Sequence, residues 1–121
     1  MRPLNDNESK LLLKVLGATK GGEALAEQVP HVRVVDQSIP TLLRLLVDDG
    51  VPVATMHDGP IPGRFPVYRQ GQSLGEILVW VDGGRLSAIE YAWVTESGPT
   101  RIPDVDEVGT SEAWTGSGDG L

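Results

Sequence analysis

Two histidines are the first residues to test for chemistry, because imidazole titrates near neutral pH and is a common metal ligand. His57 stands beside Asp58, and an aspartate can orient an imidazole for catalysis. The sequence contains no cysteine, and no G-x-S-x-G motif supplies a nucleophile. Because Gly59 and Pro60 follow, the dipeptide is better explained as part of a turn. We predict no catalytic residue and no enzyme activity.

Metal and cofactor motifs give no better candidate. His31 and His57 lie far apart, and neither belongs to an H-x-x-x-H or H-E-x-x-H motif. The acidic run at 104–107 resembles the start of an oxygen-ligand site, but the rest of an EF-hand loop is missing. A solvated acidic run explains it better. No G-x-x-x-x-G-K loop is present to cradle a phosphate. We therefore predict neither a metal nor a cofactor.

Aromatic residues near the middle of the chain are the remaining candidates for function. Trp80, Tyr91 and Trp93 are expected on one face of a β-hairpin, bordered by Glu76 and Glu90. Tryptophan and tyrosine dominate binding hot spots, so these five residues form a candidate partner-binding site. The same aromatics could instead belong to the core, because buried aromatic side chains dominate small cores. The outcome depends on whether the C-terminal segment covers this face.

The hairpin that positions these residues is the best-specified element of the sequence. Two β-rich runs, residues 76–81 and 86–94, flank a Gly83-Gly84 pair, which favours a two-residue turn. That turn predicts five cross-strand pairs: Val81 with Leu86, Val79 with Ala88, Trp80 with Ser87, Leu78 with Ile89, and Glu76 with Tyr91. A change of one residue in the loop would exchange the two faces.

Helices are predicted before the strands. Asn5 can cap the first helix, with Glu8 three residues later as its partner in a capping box, and Gly17 can end it. A second short helix fits residues 23–29 and ends before Pro30, because the residue before a proline avoids helical angles.

Alternation and turn residues predict the remaining strands. Residues 31–36 alternate as a strand does. The apolar run at 42–47 suits either a strand covered on both faces or a short helix. We favour a strand, because the turn at 48–50 follows and leads into a further strand at 51–53. Phe65 to Arg69 predicts another short strand.

The elements together predict an α+β fold. Two N-terminal helices would pack on one face of a mostly antiparallel, meandering sheet of about five to six strands. The chain of 121 residues is the size of one domain, which we place at residues 1–108. The Gly/Ser-rich segment 109–121 is expected to be a flexible tail; Trp114 is unusual in such a segment, and docking on the sheet would explain it.

Charge and hydropathy narrow the partners and the location. The net charge of −7 would repel a phosphate backbone, which argues against nucleic acid and favours a basic partner, although solubility alone would also explain it. No apolar run approaches the ~20 residues needed to cross a bilayer. The polar start, Met1 to Asp6, lacks the layout of a signal peptide. We predict a cytoplasmic protein with no membrane partner.

Three segments resemble a group of small actinobacterial proteins of unknown function. They are Arg2-Pro3-Leu4 with Glu8 and Leu11-Leu12-Leu13, the hairpin GEILVWVDGGRLSAIEYAWV at 75–94, and Pro99 to Pro103-Asp104. The resemblance implies no catalytic residues. In its general type (small, acidic, free of cysteine and α+β) the chain also resembles immunity proteins that neutralise secreted toxins.

These observations favour a non-enzymatic protein-binding module. Its most concrete form is an immunity-type inhibitor whose acidic surface speeds its encounter with a basic toxin. A small-ligand-binding domain with a pocket between helices and sheet is an alternative. A self-associating structural domain, with the aromatic face as a homodimer interface, is another.

Overall fold

In the computed structural model of the protein, which describes residues 1–110, the two predicted helices are present. Helix α1 (Asp6–Gly17) begins with the predicted capping box: the Asn5 side chain accepts from the Glu8 N–H at 2.8 Å, and the Glu8 carboxylate accepts from the Asn5 N–H at 2.9 Å. Helix α2 (Glu23–Ala26) is shorter than predicted. A 3₁₀ turn at Val29–His31, with Pro30 in its first turn, follows it.

The strands form one antiparallel sheet. They are β1 (Arg2–Pro3), β2 (Val32–Ile39), β3 (Leu42–Val47), β4 (Gly59–Pro60), β5 (Pro66–Arg69), β6 (Gln72–Asp82) and β7 (Arg85–Trp93). Their order is β1-β2-β3-β7-β6-β4, and β5 also pairs with β6. The α+β class and the mostly antiparallel sheet are confirmed. The sheet is not a simple meander, because β7 lies between β3 and β6. Among the described residues it has seven strands, two of them only two residues long.

The apolar run at 42–47 is strand β3, as we favoured. Leu43, Leu45 and Val47 are buried, whereas Arg44 and Leu46 are exposed, so only one face of this strand is covered. The strand predicted at 51–53 is wrong, and β3 pairs with β2 and β7 instead. Pro52 has no N–H for a ladder.

The segment after β3 lies against the β6–β7 turn. The Ala54 N–H donates to the Gly84 carbonyl at 2.8 Å, and the Gln28 side-chain amide donates to the Pro52 carbonyl at 3.1 Å. These two hydrogen bonds give the Ala54 N–H and the Pro52 carbonyl partners, although the segment is not a β-strand.

One hydrophobic cluster joins both helices with alternate residues of the strands. Its helical members include Leu11, Leu12, Val15, Leu16 and Leu25, and its strand members include Leu43, Val67, Ile77, Val79, Ile89 and Tyr91. The C-terminal segment completes the cluster with Ile102 and Val108. Val108 forms a β-bridge with Val67, and the Gly109 N–H donates to the Pro66 carbonyl at 2.8 Å. The rest of the predicted tail, including Trp114, lies outside the described residues.

The β6–β7 hairpin has the predicted turn. Gly83 and Gly84 have φ of +60° and +77°, and a two-residue turn with both residues left-handed needs this freedom. Val81 pairs with Leu86, as predicted.

Beyond that first pair the predicted register is wrong. Trp80 pairs with Ala88, so Ser87 is the extra residue of a β-bulge. Every later pair is shifted by one residue, and Tyr91 lies opposite Ile77 rather than Glu76. Because successive side chains point to opposite faces, the bulge puts Trp80 and Tyr91 on opposite faces of the sheet.

Candidate functional site

The side chains of three adjacent strands that point away from the hydrophobic cluster keep contact with solvent. We call this surface the open face; it consists of Leu42, Arg44 and Leu46 of β3, Glu76, Leu78 and Trp80 of β6, and Ala88, Glu90 and Ala92 of β7. Along each strand these residues alternate with buried ones. The open face is therefore the second, unburied side of the antiparallel sheet.

Trp80 is the open-face residue of β6 that lies nearest the β6–β7 turn. Cross-strand pairing places Ala88 next to Trp80, and Arg44 on the far side of Ala88. Alanine carries only a methyl group, so the surface dips between the two larger side chains. The depression has a volume of about 340 Å³, and its rim includes Glu90 and Asp82.

The Trp80 indole is held by a hydrogen bond across the strands. Its Nε1–H donates to Glu90 Oε1 at 3.0 Å, and both residues are partly buried. Glu90 pairs directly with Leu78, so this hydrogen bond runs diagonally across the ladder. An aromatic ring fixed in this way loses little conformational freedom when a partner packs on it.

The five predicted partner-binding residues do not form one cluster. Trp80, Glu76 and Glu90 share the open face. Tyr91 is only 6% exposed and belongs to the hydrophobic cluster. Trp93 is 41% exposed and ends β7 two residues beyond Tyr91, with no further bulge between them. It therefore points to the same side of the sheet as Tyr91, opposite to Trp80.

Glu76 is bound within the face. Its two carboxylate oxygens accept from Nε and Nη2 of Arg64 at 2.9 and 2.8 Å.

Arg44 borders the Trp80 depression, although it is not among the partner-binding residues predicted from the sequence. Its signal was present, because Arg44 is the only polar residue inside the apolar run of β3.

The described part of the C-terminal segment packs elsewhere. The Asn7 side chain donates to the Pro103 carbonyl at 3.0 Å and accepts from the Val105 N–H at 2.8 Å. Lys14 donates to the Val105 carbonyl at 3.1 Å. These contacts fix the segment on α1 and, through Val108, on β5. Up to residue 110, the segment therefore lies on the core side rather than over Trp80.

Carboxylates gather around the β6–β7 turn, at one end of the open face. Asp82 borders the Trp80 depression and precedes the turn, and Asp58 Oδ1 accepts from the Gly83 N–H at 2.8 Å. Glu27 precedes Gln28, whose amide donates to the Gly84 carbonyl at 2.9 Å. All three carboxylates are exposed, and Arg85, which pairs with Asp82 across the turn, adds a positive charge beside them.

The other residues considered for chemistry have structural partners. Asp58 binds the hairpin turn beside the exposed His57. Asp104 and Glu107 form a capping box around the 3₁₀ turn Val105–Glu107, and Glu107 also binds Arg69 at 2.7 Å. Over residues 1–110, no group of three or more His, Asp or Glu side chains is arranged to hold a metal ion. No helix in the same part of the chain has the length and hydropathy to span a membrane.

Comparisons with protein-family models, with curated proteins and with solved structures found no match for this chain. Its function must therefore be inferred from its own residues.

Proposed function

We propose that this protein is a non-enzymatic protein-binding module whose open face docks on a basic partner protein. The observation that carries the proposal is Trp80, a partly exposed tryptophan fixed by Glu90 beside a depression on a sheet face. Tryptophan and arginine are enriched at binding hot spots, and such residues sit near the centre of an interface. Trp80 and Arg44 are residues of these types and border the same depression on the open face.

The charge distribution supports a basic partner. Asp82 borders the Trp80 depression and also lies near the turn, as Asp58 and Glu27 do. The whole chain carries a formal charge of −7, which would speed its encounter with a positively charged surface. The Trp80 side chain would then supply the short-range contact with the partner.

In its most concrete form, the module is an immunity-type inhibitor of a basic toxin that acts in the cytoplasm of the producing cell. The proposal takes α1 and α2 to cover the opposite face of the sheet, which leaves the open face for the partner. Their shared hydrophobic cluster with Leu43, Ile77 and Val79 supports that arrangement.

Binding to basic proteins encoded beside the chain's own gene tests the proposal. Calorimetry would compare the wild type with Trp80→Ala and Asp82→Asn, and with Trp93→Ala as a matched control. We expect Trp80→Ala to weaken binding about 30-fold, since a hot-spot truncation costs about 2 kcal/mol or more. Asp82→Asn should mainly slow association. The proposal fails if no such protein binds, or if Trp80→Ala binds as tightly as Trp93→Ala.

Self-association is a second candidate, favoured by apolar residues at the margin of the same face. Leu46 is 49% exposed on the open face, and Ile39, which is 53% exposed, pairs with Leu42. A second copy could cover these side chains. Light scattering across a concentration series would show a dimer that Trp80→Ala disrupts; a monomer at every concentration would rule this candidate out.

A further inference from the structure

A second depression lies away from the open face and is rich in hydrogen-bond donors. It has a volume of about 280 Å³ and opens between β5, the end of β7 and the segment that follows β7. Its polar lining residues are Arg69, Tyr91, Thr95, Ser97, Thr100 and Arg101, and the Thr95 hydroxyl already donates to the Ser97 carbonyl at 2.8 Å.

Tyr91 is the most informative of these residues. The residue is only 6% exposed, and among the described residues its hydroxyl has no hydrogen-bond partner and keeps contact with solvent. Burial raises the pKa of the Tyr91 phenol, and the positive charge of Arg69 acts against that rise. The phenol therefore stays protonated at neutral pH and can donate into the depression. A largely buried donor without a protein acceptor is a place where a ligand oxygen fits.

The two arginines are already oriented by carboxylates. Arg69 Nε donates to Glu107 Oε2 at 2.7 Å, and Arg101 Nη1 donates to Asp104 Oδ1 at 3.0 Å. Glu107 in turn accepts from the Asp104 N–H at 3.1 Å, so the two pairs support each other. The Nη atoms of Arg69 have no partner within residues 1–110. A guanidinium held along one edge presents its other N–H groups in a fixed direction.

We propose that this depression binds a phosphate group, either as inorganic phosphate or as the monoester of a small molecule. The donors come from three parts of the fold: Arg69 from β5, Tyr91 from β7 and Arg101 from the C-terminal segment. A tetrahedral oxyanion accepts hydrogen bonds from several directions at once, whereas one bidentate arginine already satisfies a carboxylate. Glu107 and Asp104 reduce the local positive charge, so binding depends on the donors more than on net charge.

Titrations followed by the amide resonances of the protein test this site. Inorganic phosphate and glycerol phosphate would be added separately at constant ionic strength, so that general screening stays the same. We expect saturable shifts for Tyr91 and for the residues of 95–101 other than Pro99, which has no amide N–H. Tyr91→Phe, which removes only the hydroxyl, should weaken affinity about tenfold, as should Arg101→Gln. The matched controls Tyr68→Phe and Arg33→Gln, which change exposed residues outside the depression, should bind like the wild type.

The two ligands distinguish the sources of the phosphate. Saturation by both shows that the phosphate group suffices, and saturation by glycerol phosphate alone shows that an organic ester is required. The site is rejected if neither ligand saturates the shifts, or if Tyr91→Phe retains wild-type affinity. Because Trp80→Ala leaves this depression intact, failure of partner binding and failure of phosphate binding are separate results.

Discussion

Replacing Gln28 by leucine should destabilise the protein by about 1–2 kcal/mol. The Gln28 side chain is fully buried and makes three hydrogen bonds, with its Nε2 donating to the carbonyls of Pro52 and Gly84 and its Oε1 accepting from the Leu86 N–H. It therefore ties α2 to the loop after β3 and to the β6–β7 hairpin. Leucine has a similar volume and offers none of these bonds.

The magnitude follows from what leucine leaves unpaired. The Gly84 carbonyl still accepts from the Ala54 N–H at 2.8 Å, so the groups left without a partner are the Pro52 carbonyl and the Leu86 N–H. The Leu86 N–H is buried and costs about 1–3 kcal/mol when unpaired, whereas Pro52 is an exposed residue whose carbonyl can bind water, at a cost of about 1 kcal/mol. Greater apolar burial by leucine returns about 1–2 kcal/mol. The unpaired groups outweigh the hydrophobic gain.

Urea unfolding followed by tryptophan fluorescence would measure the loss. With a slope of about 1.5 kcal/mol/M, the midpoint should fall by about 1 M. Gln72→Leu, at an exposed position of β6, is the matched control and should stay within about 0.5 kcal/mol of the wild type. Equal midpoints for the two variants would refute the idea that Gln28 holds these elements together.

Two further predictions concern pH and backbone space. Burial would raise the pKa of Glu8, but hydrogen bonds from Arg2 and from the Asn5 N–H outweigh it and lower the pKa below 4.5. That stabilisation is present above the unfolded pKa and is lost as pH falls through the folded one, so Glu8→Gln should flatten the fall in unfolding free energy measured in acid. Gly75→Ala should cost about 2 kcal/mol or more, because a Cβ would lie 2.3 Å from the Ala92 carbonyl oxygen. Gly71→Ala, with positive φ but no atom within 4 Å, should cost about 1 kcal/mol in the same chemical melt, and equal costs would contradict the steric argument.

Features fixed by neighbouring residues could be predicted from the sequence. The Asn5–Glu8 capping box and the Gly83-Gly84 turn each depend on residues at most three positions apart, and both are present. The bulge at Ser87 could not be predicted, because both faces of the hairpin carry apolar residues and alternation favours neither register. The candidate site therefore differs from the predicted one: Tyr91 lies on the core side of the sheet, and Trp80 lies on the open face.

Long-range pairing was the other limit of prediction. The residues near 51–53 do not indicate that β3 pairs with β7 rather than with the segment that follows it. The partner of β3 is a strand far along the chain, so local patterns do not reveal the pairing. Arg44 acquires its position beside Trp80 only through this pairing. The residues of a site that spans β3, β6 and β7 therefore cannot be grouped from local patterns alone.

The position of β7 between β3 and β6 has a consequence for folding during synthesis. Leu43 emerges from the ribosome well before Ile89, its partner across the β3–β7 ladder. Until then β3 has an unpaired edge, and unpaired strand edges are sites of aggregation. The β6–β7 hairpin closes quickly because its contacts are local, whereas its docking on β3 must close a long loop. Docking of the finished hairpin is thus expected to set the folding rate, and the nascent chain is most vulnerable just before that step.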